Sequence, residues 1–477
     1  MDHPTAGLVT GRPAAATAYV PERFPPALPF PVLRYLTHLG RVRGLTTQEA
    51  TARARYWLER FGITGYARTP LDELSKGTCQ KVAVAQALLA GPRLLVLDEA
   101  WTGLDAAARD VLDAAVRERV AAGGTVFFVD HDPRRLADAA TAVYAVDTGR
   151  MTAAAGRGPA REPAVVIEAA GEGPVPADAE ALTPAGAGRV RGTVPAERSD
   201  AVLRALLVAR PPWHITSVRA AVAEAPGAYE GVAAAAGPVT VPTSVGAGAA
   251  RGPRMGALLR YQLDLLMRSH RWLPPLLFYG AVMAIGVAGG EPLLGSLGYA
   301  AALLLPVAAW TVRVCVTNEP GAARACVASA VGAARAQRAA VGAAAMVSGV
   351  LGLAGTALVT AVSGPHADDL TTAVPVGPAA LAGLMAAAVS VLLGTAVGAL
   401  TNPPLVRGSG WPILVTAVGA GAVLIVSGSP AQAAVTDLVT GSRTGAVHYP
   451  LPALVAAAVA AAAATLLSGW STTRLGP

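Results

Sequence analysis

The spacing of hydrophobic and polar positions changes twice along the chain. Up to about residue 152, short apolar runs alternate with amphipathic stretches, as in an ordinary globular domain. Residues 153–250 are rich in Ala, Gly and Pro, and residues 251–477 are dominated by long apolar runs. We therefore predict three regions with these bounds: a globular domain, a linker or small α+β domain, and a membrane domain.

The first region predicts an α/β fold. The runs "TAYV", "RLLVLDE" and "TVFFVDH" are predicted strands, and the last two are apolar enough to be buried on both faces. Amphipathic stretches at 30–44, 46–62 and 106–124 predict helices, the second opened by a Thr46/Glu49 capping box. Strands that alternate with helices indicate a parallel sheet with function at the carboxyl ends of its strands.

The middle region leaves two alternatives open. Its runs "AVVIEAAG", "GRVRGTVP", "SDAVLRALLVAR" and "WHITSVRAAV" would suit a small β-β-α-β unit. The Ala/Gly/Pro segments around them would equally suit a partly flexible linker.

The last region predicts an all-α domain of six membrane spans, placed near 272–289, 294–316, 339–363, 375–399, 411–428 and 450–469. Basic residues gather in the loops on one side of these spans: Arg251, Arg254, Arg260, Arg268, Arg271, Arg324, Arg335, Arg338, Arg407 and Arg474. The opposite loops hold mainly acids. This asymmetry predicts both termini in the cytoplasm, and it favours a membrane domain over a soluble bundle of buried helices. The stretch 255–272 is typical of an amphipathic helix lying at the membrane interface.

Composition agrees with this picture. Hydrophobic residues make up 53% of the chain and charged residues 14%, which favours a membrane part. The net charge of +7 fits cytoplasmic loops, and we expect no nucleic-acid partner. The three cysteines have no metal or disulfide spacing, so reduced thiols are expected. The first residues lack the apolar run of a cleavable signal peptide.

Candidate chemistry gathers at predicted strand ends. Asp98 and Glu99 close one strand, where a carboxylate can hold Mg²⁺ and a second can activate water. His131 closes the next strand, and Asp105 opens a helix after the turn at Gly103. Each also has an ordinary explanation: a strand end turning polar, a surface histidine, a helix N-cap.

The stretch "LSKGTCQKVAVAQALLAG" begins with small polar residues before an apolar helix, an arrangement that can bind phosphate. The order "LSKGT", "LLVLDE", "TGLD" and His131 closely resembles the ATP-binding cassette (ABC) ATPase. These segments are similar to the family's signature loop (usually LSGGQ), Walker B strand, D-loop and switch histidine. "YVPERF" resembles the Q-loop region, with Glu22 where Gln is more common. The resemblance covers about residues 5–152, and the six spans resemble an exporter-type permease of the same superfamily.

The resemblance implies a role for each matching residue. Ser75 and Gly77 would contact the γ-phosphate of ATP on the opposite cassette of a dimer. Asp98 would support Mg²⁺, Glu99 would be the catalytic base, and His131 would bind the γ-phosphate. Two further residues would transmit signals: Asp105 across the dimer, and Glu22 from nucleotide to permease.

One expected element is absent from the printed sequence. The family's Walker A loop, G-x-x-x-x-G-K-[ST], has no match, since the lysines Lys76 and Lys81 do not fit it. "HPTAGLVTGRP" resembles the segment just after that loop, so we expect an incomplete P-loop-type cassette. A start further upstream, a degenerate cassette and a decayed fragment remain open; the retained Asp98, Glu99 and His131 favour the first.

The sequence therefore predicts a fused half-transporter of the cell membrane. It would couple ATP hydrolysis to transport, with export favoured, as a homodimer or heterodimer surrounded by membrane lipid. Cassette closure would act on the loop 317–339, with Arg324, Arg335 and Arg338 as candidates for the coupling contact. The alternative is a catalytically silent membrane partner that lends its signature loop to a complete ATPase. A soluble regulator of this superfamily is disfavoured by the predicted spans.

Overall fold

The computed structural model describes residues 17–24, 27–132, 134–147, 150–154, 164–171, 173–176, 179, 181–186, 188–220, 255–406, 408 and 410–475. The described residues up to Arg135 and from Met255 onward form one compact unit, and those between them form another. The segment "HPTAGLVTGRP" and the basic residues Arg251, Arg254 and Arg407 lie outside the described residues.

The N-terminal part of the first unit is an α/β arrangement around a parallel sheet of order β1-β2-β3. Its elements are β1 Thr17–Val20, α1 Val32–Val42, α2 Thr47–Arg60, α3 Lys76–Leu88, β2 Leu94–Asp98, α4 Ala106–Ala121 and β3 Thr125–Val129. The predicted strands and helices occur at these places, and Thr46 and Glu49 form the expected capping box. The parallel α/β prediction for this region is therefore confirmed.

The expectation that the strand "TVFFVDH" is buried on both faces is wrong. β2 lies between two neighbours and has a buried centre, but β3 is at the edge of the sheet. The side chains of Phe127 and Val129 are 53% and 46% exposed, and α4 packs near this strand. A continuous apolar run requires cover on both faces only when the strand is central.

The second unit contains antiparallel strands and one helix. Its elements are β4 Val143–Asp147, β5 Arg150–Ala154, β6 Ala164–Ala170, β7 Thr183–Pro184, β8 Arg189–Pro195, α5 Ala196–Val208 and β9 His214–Ala220. β4 and β5 form a hairpin, and the other strands form a sheet of order β7-β8-β6-β9. Ile167, Leu206 and Trp213 lie in its small core. A β-β-α-β order therefore occurs at the four runs for which it was considered.

The C-terminal part is helical. Its helices are α6 Met255–Ser269, α7 Leu273–Gly286, α8 Leu293–Asn318, α9 Gly321–Val331, α10 Ala333–Val362, α11 Val376–Thr401, α12 Trp411–Ile425, α13 Pro430–Thr444 and α14 Leu451–Leu475. Leu293, Leu305 and Ala386 belong to its largest buried cluster. Gly394 and Gly398 let α11 approach α8 closely, because a Cβ at either would clash with that helix's backbone.

Four described helices are long and apolar enough to cross a membrane: α8, α10, α11 and α14. A fifth crossing is possible if α12 and α13, which are bent by 48°, count as one span. The first predicted span is the 14-residue helix α7, which extends only about 21 Å and is shorter than a bilayer core. The described helices are compatible with a fused membrane domain, and the count of six spans is not confirmed.

A polar joint connects α1 to α6. The carboxylate of Asp264 accepts two hydrogen bonds from the Arg34 guanidinium, at 2.6 and 2.8 Å, and lies 2.9 Å from Nε2 of His38. Arg268 adds a contact at 3.2 Å from its own helix. Burial would raise the pKa of Asp264, but the bonds from Arg34 and His38 outweigh it and hold this pKa below its ordinary value.

A second contact lies beside this joint. The Tyr261 hydroxyl donates to Glu319 at 2.6 Å, and Gln262 donates to the same carboxylate at 3.3 Å. Glu319 is 5% exposed, and its burial raises its pKa. The Tyr261 ring stacks on Phe30 at a centroid distance of 5.6 Å. A buried carboxylate without such partners would be costly, so these donors fix where α6 sits.

Asp264→Asn should weaken the joint, because the neutral amide cannot hold Arg34 by a charged pair. We expect a loss of about 1.5 kcal/mol in the free energy of unfolding, the lower end for charged hydrogen bonds, since Arg34 is half exposed. Thermal unfolding of the purified chain measures it. Asp110→Asn, an exposed acid on α4, is the control and should change little.

The same joint predicts an acid-sensitive stability. Burial lowers the pKa of His38 below 6.5, so the unfolded chain takes up a proton first, and stability falls as pH drops below about 6.5. The lowered pKa of Asp264 adds a loss below about pH 3.8. His38→Gln should flatten the first slope only. An unchanged profile between pH 5 and 7 would contradict this assignment.

Candidate functional site

The carboxyl ends of the three parallel strands carry the first group of candidate residues. Asp98 is the last residue of the central strand, and its Oδ2 accepts a hydrogen bond of 3.0 Å from the Tyr19 hydroxyl on β1. Burial, and then the Asp98 carboxylate, raises the pKa of Tyr19 well above its ordinary value. Tyr19 therefore stays protonated and acts as a fixed donor that orients Asp98.

Glu99 follows directly and is held in an unusual backbone conformation. Its φ is +46°, a region that non-glycine residues seldom adopt, and its N–H donates to the Val129 carbonyl at 3.0 Å. The side chain reaches His131, whose Nε2 lies 2.8 Å from Glu99 Oε1. His131 is 85% exposed at the side chain, and Glu99 is 22% exposed. The structure thus brings Asp98, Glu99 and His131 together at the carboxyl ends of β2 and β3, as the sequence predicted.

A second group is centred on the N-terminus of α3. Ser75 is the N-cap of this helix, and its Oγ accepts from the Thr78 N–H at 3.2 Å. The hydroxyls of Ser75 and Thr78 are 2.9 Å apart. The first turn of a helix carries a partial positive charge and outward N–H groups, so this end is suited to an anion.

The turn after Glu99 packs against this helix. A Cβ on Gly77 would lie 2.8 Å from the Gly103 carbonyl oxygen, and Gly103 itself has a φ of +83°. Asp105 caps α4 through the Ala108 N–H, at 2.8 Å. The Nζ of Lys81 lies 2.7 Å from Asp105 Oδ2, and this bond lowers the pKa of Asp105. Gly77 and Asp105 therefore belong to one in-chain contact between α3 and the start of α4.

Glu22 has no described bond to either group. Its exposed carboxylate pairs with Arg23 at 3.2 Å, and no described hydrogen bond or ion pair joins it to Asp98 or Glu99. Its charge does reach Tyr19, whose pKa it raises slightly. The structure thus connects Glu22 to the group only through the end of β1.

Sequence reasoning missed four polar residues that hold this region together. Gln86 donates to the Tyr19 carbonyl at 2.8 Å, and Gln80 lies within 3.5 Å of the carbonyls of Pro21 and Ala100. Tyr19 and Lys81 are the other two. The available signal was the polar residues inside the apolar helix "KVAVAQALLAG", since a buried amide needs partners.

No group of three His, Cys, Asp or Glu side chains in the described chain is placed to hold a metal ion. Asp98 is one carboxylate beside a tyrosine hydroxyl. A magnesium ion there would need further oxygen ligands, such as phosphate oxygens and water, which is how Mg²⁺ is commonly bound.

The N-terminal part of the chain is similar to known proteins. A family model described as "ABC transporter" matches residues 15–102. The uncharacterized ABC transporter ATP-binding protein YhaQ of Bacillus subtilis is 40% identical over 96 residues, which are 20% of this chain and 32% of that protein. The macrolide export ATP-binding/permease protein MacB 1/2 of Paracoccus denitrificans is 36% identical over 139 residues, 28% of this chain and 21% of that protein.

A solved structure of an ATP-binding subunit of an ABC transporter is 23% identical, with a TM-score of 0.28, and covers 29% of this chain and 59% of that one. The chain spans about a third or less of the length of the curated relatives named here. The N-terminal part is thus related to the ATP-binding domain of ABC transporters, and apolar helices compatible with a fused membrane domain follow it.

Gly77→Ala should separate α3 from the turn at Gly103, because its methyl group would overlap a backbone oxygen. We expect a destabilisation of about 1–3 kcal/mol, typical of overpacking. Hydrogen exchange should show faster opening around residues 100–105. Gly65→Ala is the matched control, since a Cβ there meets nothing within 4 Å. Equal behaviour of the two variants would contradict the contact.

Proposed function

We propose that this chain is one half of an ABC transporter that couples ATP binding and hydrolysis to transport across the cell membrane. It would act as a homodimer or a heterodimer, with both termini on the cytoplasmic side, and we favour export. The observation that carries the proposal is a direct contact between the candidate site and the apolar helical region, through β1 and α9.

One strand residue, Tyr19, bonds on both sides of this contact. α9 lies between the span-length helices α8 and α10 and packs against β1. The Cys326 thiol on α9 lies 3.5 Å from the Tyr19 carbonyl, while the Tyr19 hydroxyl binds Asp98. A change at Asp98 can therefore reach a helix connected to two membrane spans without passing through a flexible loop.

The buried face of α9 is small and apolar, with Ala323, Cys326 and Val327 almost fully buried. Arg324, a candidate for the coupling contact, donates instead to the carbonyls of Val316 and Glu319. It thereby binds carbonyl groups at the end of α8. We therefore propose that α9 is coupled to β1 by its packed apolar face, and not by the basic residues that the sequence suggested.

The candidate residues would take the following roles. Ser75 and Gly77, at the N-terminus of α3, would meet the γ-phosphate of ATP held by the opposite cassette. Asp98 would support Mg²⁺. Glu99 would act as the base that activates water, and His131 would bind the γ-phosphate. Two residues would transmit the change: Asp105 across the dimer, and Glu22 at the end of β1. Hydrolysis of ATP would supply the free energy for transport.

The residues present fit a nucleotide phosphate in two respects. The first turn of α3 offers outward N–H groups and a hydroxyl. Glu99 and His131 lie together at the carboxyl ends of β2 and β3. The lysines do not fit the Walker A pattern, and Lys81 is held by Asp105. The alternative proposal is a silent membrane partner that lends its signature loop to a complete ATPase.

Glu99→Gln separates the two proposals. If Glu99 is the base, ATP hydrolysis by the chain in lipid nanodiscs should fall at least about 100-fold, while bound ATP should persist longer. Hydrolysis and retained labelled ATP are measured in parallel. Glu59→Gln, an exposed change on α2, is the control and should leave both unchanged.

The remaining outcomes are also decisive. Nucleotide binding that appears only with a complete ATPase partner, and that Glu99→Gln does not alter, would support the silent partner. Failure to bind nucleotide with or without such a partner would refute both proposals.

Cys326→Leu tests the coupling surface. The larger side chain would overpack the contact of α9 with β1, so nucleotide should no longer change the hydrogen exchange of α9, while nucleotide affinity stays within about threefold. Ala325→Leu, at a half-exposed position of the same helix, is the matched control. Nucleotide-dependent protection that survives in Cys326→Leu would argue against coupling through this contact.

A further inference from the structure

We propose that a groove between α7 and α10 binds an acyl chain of an anionic phospholipid, whose headgroup is held by the basic turn between α6 and α7. The inference rests on the membrane placement in the proposed function, and it concerns a site that neither the candidate nucleotide residues nor α9 form. We call it the lateral groove.

The lateral groove consists of two adjoining cavities of about 740 and 510 Å³. Both are lined by Leu276 of α7 and by Leu351 and Ala354 of α10, so the two cavities lie next to each other along these helices. Each volume falls in the range of small-molecule sites. The lining is almost wholly apolar, as an acyl chain requires.

Small residues open the groove. Gly280 lines the larger cavity on α7, and a Cβ there would meet no atom within 4 Å. Gly355 lines it from α10, where the Tyr279 hydroxyl would overlap any Cβ. Leucines at these positions would fill the space or displace Tyr279. The groove therefore exists because these residues are small, and one larger side chain can close it.

The smaller cavity opens next to a cluster of positive charge. Met267 and Trp272 line it, and the residues between them in the chain include Arg268, His270 and Arg271. His270 and Arg271 are exposed. This turn follows α6, which is bound to α1 through Asp264 and Arg34, so it lies on the cassette side of the membrane helices. Basic residues just outside a span attract anionic lipid.

The nearby carboxylate does not cancel this charge. Asp264 contacts Arg268 at 3.2 Å, but it also forms the shorter bidentate pair with Arg34. Arg34 of α1 and Arg268 and Arg271 near the turn face the single carboxylate of Asp264, so this region retains net positive charge. An apolar groove with a basic mouth is complementary to an anionic headgroup joined to an acyl chain.

A second copy of the chain fits the groove less well. In a symmetric dimer with its axis normal to the membrane, equivalent levels of the two subunits face one another. Covering the groove in this way would bring the basic turns of both copies together. A phospholipid pairs the charge and fills the apolar space at once, so we commit to lipid as the occupant.

Native mass spectrometry of the full chain can test the site without nucleotide. Purified protein is titrated with dioleoyl phosphatidylglycerol and, separately, with dioleoyl phosphatidylcholine. We expect tighter binding of phosphatidylglycerol, and Arg271→Gln should weaken that binding about fivefold while leaving phosphatidylcholine unchanged. Arg443→Gln, an exposed arginine in the last turn of α13, is the charge control.

The groove itself is tested by Gly280→Leu, which should weaken binding of both lipids at least about fivefold. Gly349→Leu is the matched control: it is an exposed helical glycine of α10 with open space around it, and it does not line either cavity. A shared thermal unfolding midpoint for the two variants excludes a folding defect. If Gly280→Leu unfolds, the lipid binding of Arg271→Gln still tests the proposal.

Three outcomes would overturn the proposal: equal binding of the two lipids by the unmodified chain, no effect of Arg271→Gln, or no effect of Gly280→Leu. Loss of a dimer mass in Gly280→Leu with lipid binding intact would assign the groove to a second copy. Because nucleotide is absent, a failure of the proposed transport function would appear in the Glu99→Gln experiment and leave this result standing.

Discussion

The position of Tyr19 is the constraint on which the rest of this structure depends. Its hydroxyl orients Asp98, and its carbonyl accepts from Gln86 and lies at the Cys326 thiol. One residue of a four-residue strand thus contacts the candidate metal-binding carboxylate, helix α3, and helix α9 between two helices of span length. Loss of one of these partners would leave polar groups of the same strand unsatisfied, so the contacts are expected to change together.

The polar joint at Asp264 and the second contact at Glu319 act alongside the contacts of Tyr19. Burial opposes the charge of Asp264, but hydrogen bonds from Arg34 and His38 keep it ionised. Glu319 is held by hydrogen bonds from Tyr261 and Gln262 while burial disfavours its charge. Asp264 lies on α6 and binds α1, whereas Glu319 follows α8 and accepts hydrogen bonds from α6. α6 is therefore fixed to α1 at one point and to the end of α8 at another. Under the proposed function, motion of the N-terminal domain would reach α6 as well as α9.

The sequence predicted the parallel strands, the helix caps and the grouping of Asp98, Glu99 and His131, because each depends on local pattern or strand order. It could not predict the Lys81–Asp105 bond or the role of Tyr19, since both join elements distant in the chain. The exposure of β3 was also missed, because an apolar run does not say which strand is at the edge. Helix α7 is short because Pro274 and Pro275 lie at its start and a Gly-rich stretch follows its end. Hydropathy averaged over a long window does not show these local residues.

The candidate residues differ in how far bonds within the chain already satisfy them. Asp98 and Asp105 have in-chain partners, Tyr19 and Lys81, so a ligand would add to or compete with existing bonds. Ser75 Oγ accepts the Thr78 N–H, and if the Thr78 hydroxyl donates to it as well, the Ser75 proton is left to point away from the helix. A capping serine arranged in this way keeps its helix stable and still has a donor for an anion. The same side chain can therefore cap the helix and, in the dimer proposed above, donate to a phosphate bound by the other subunit.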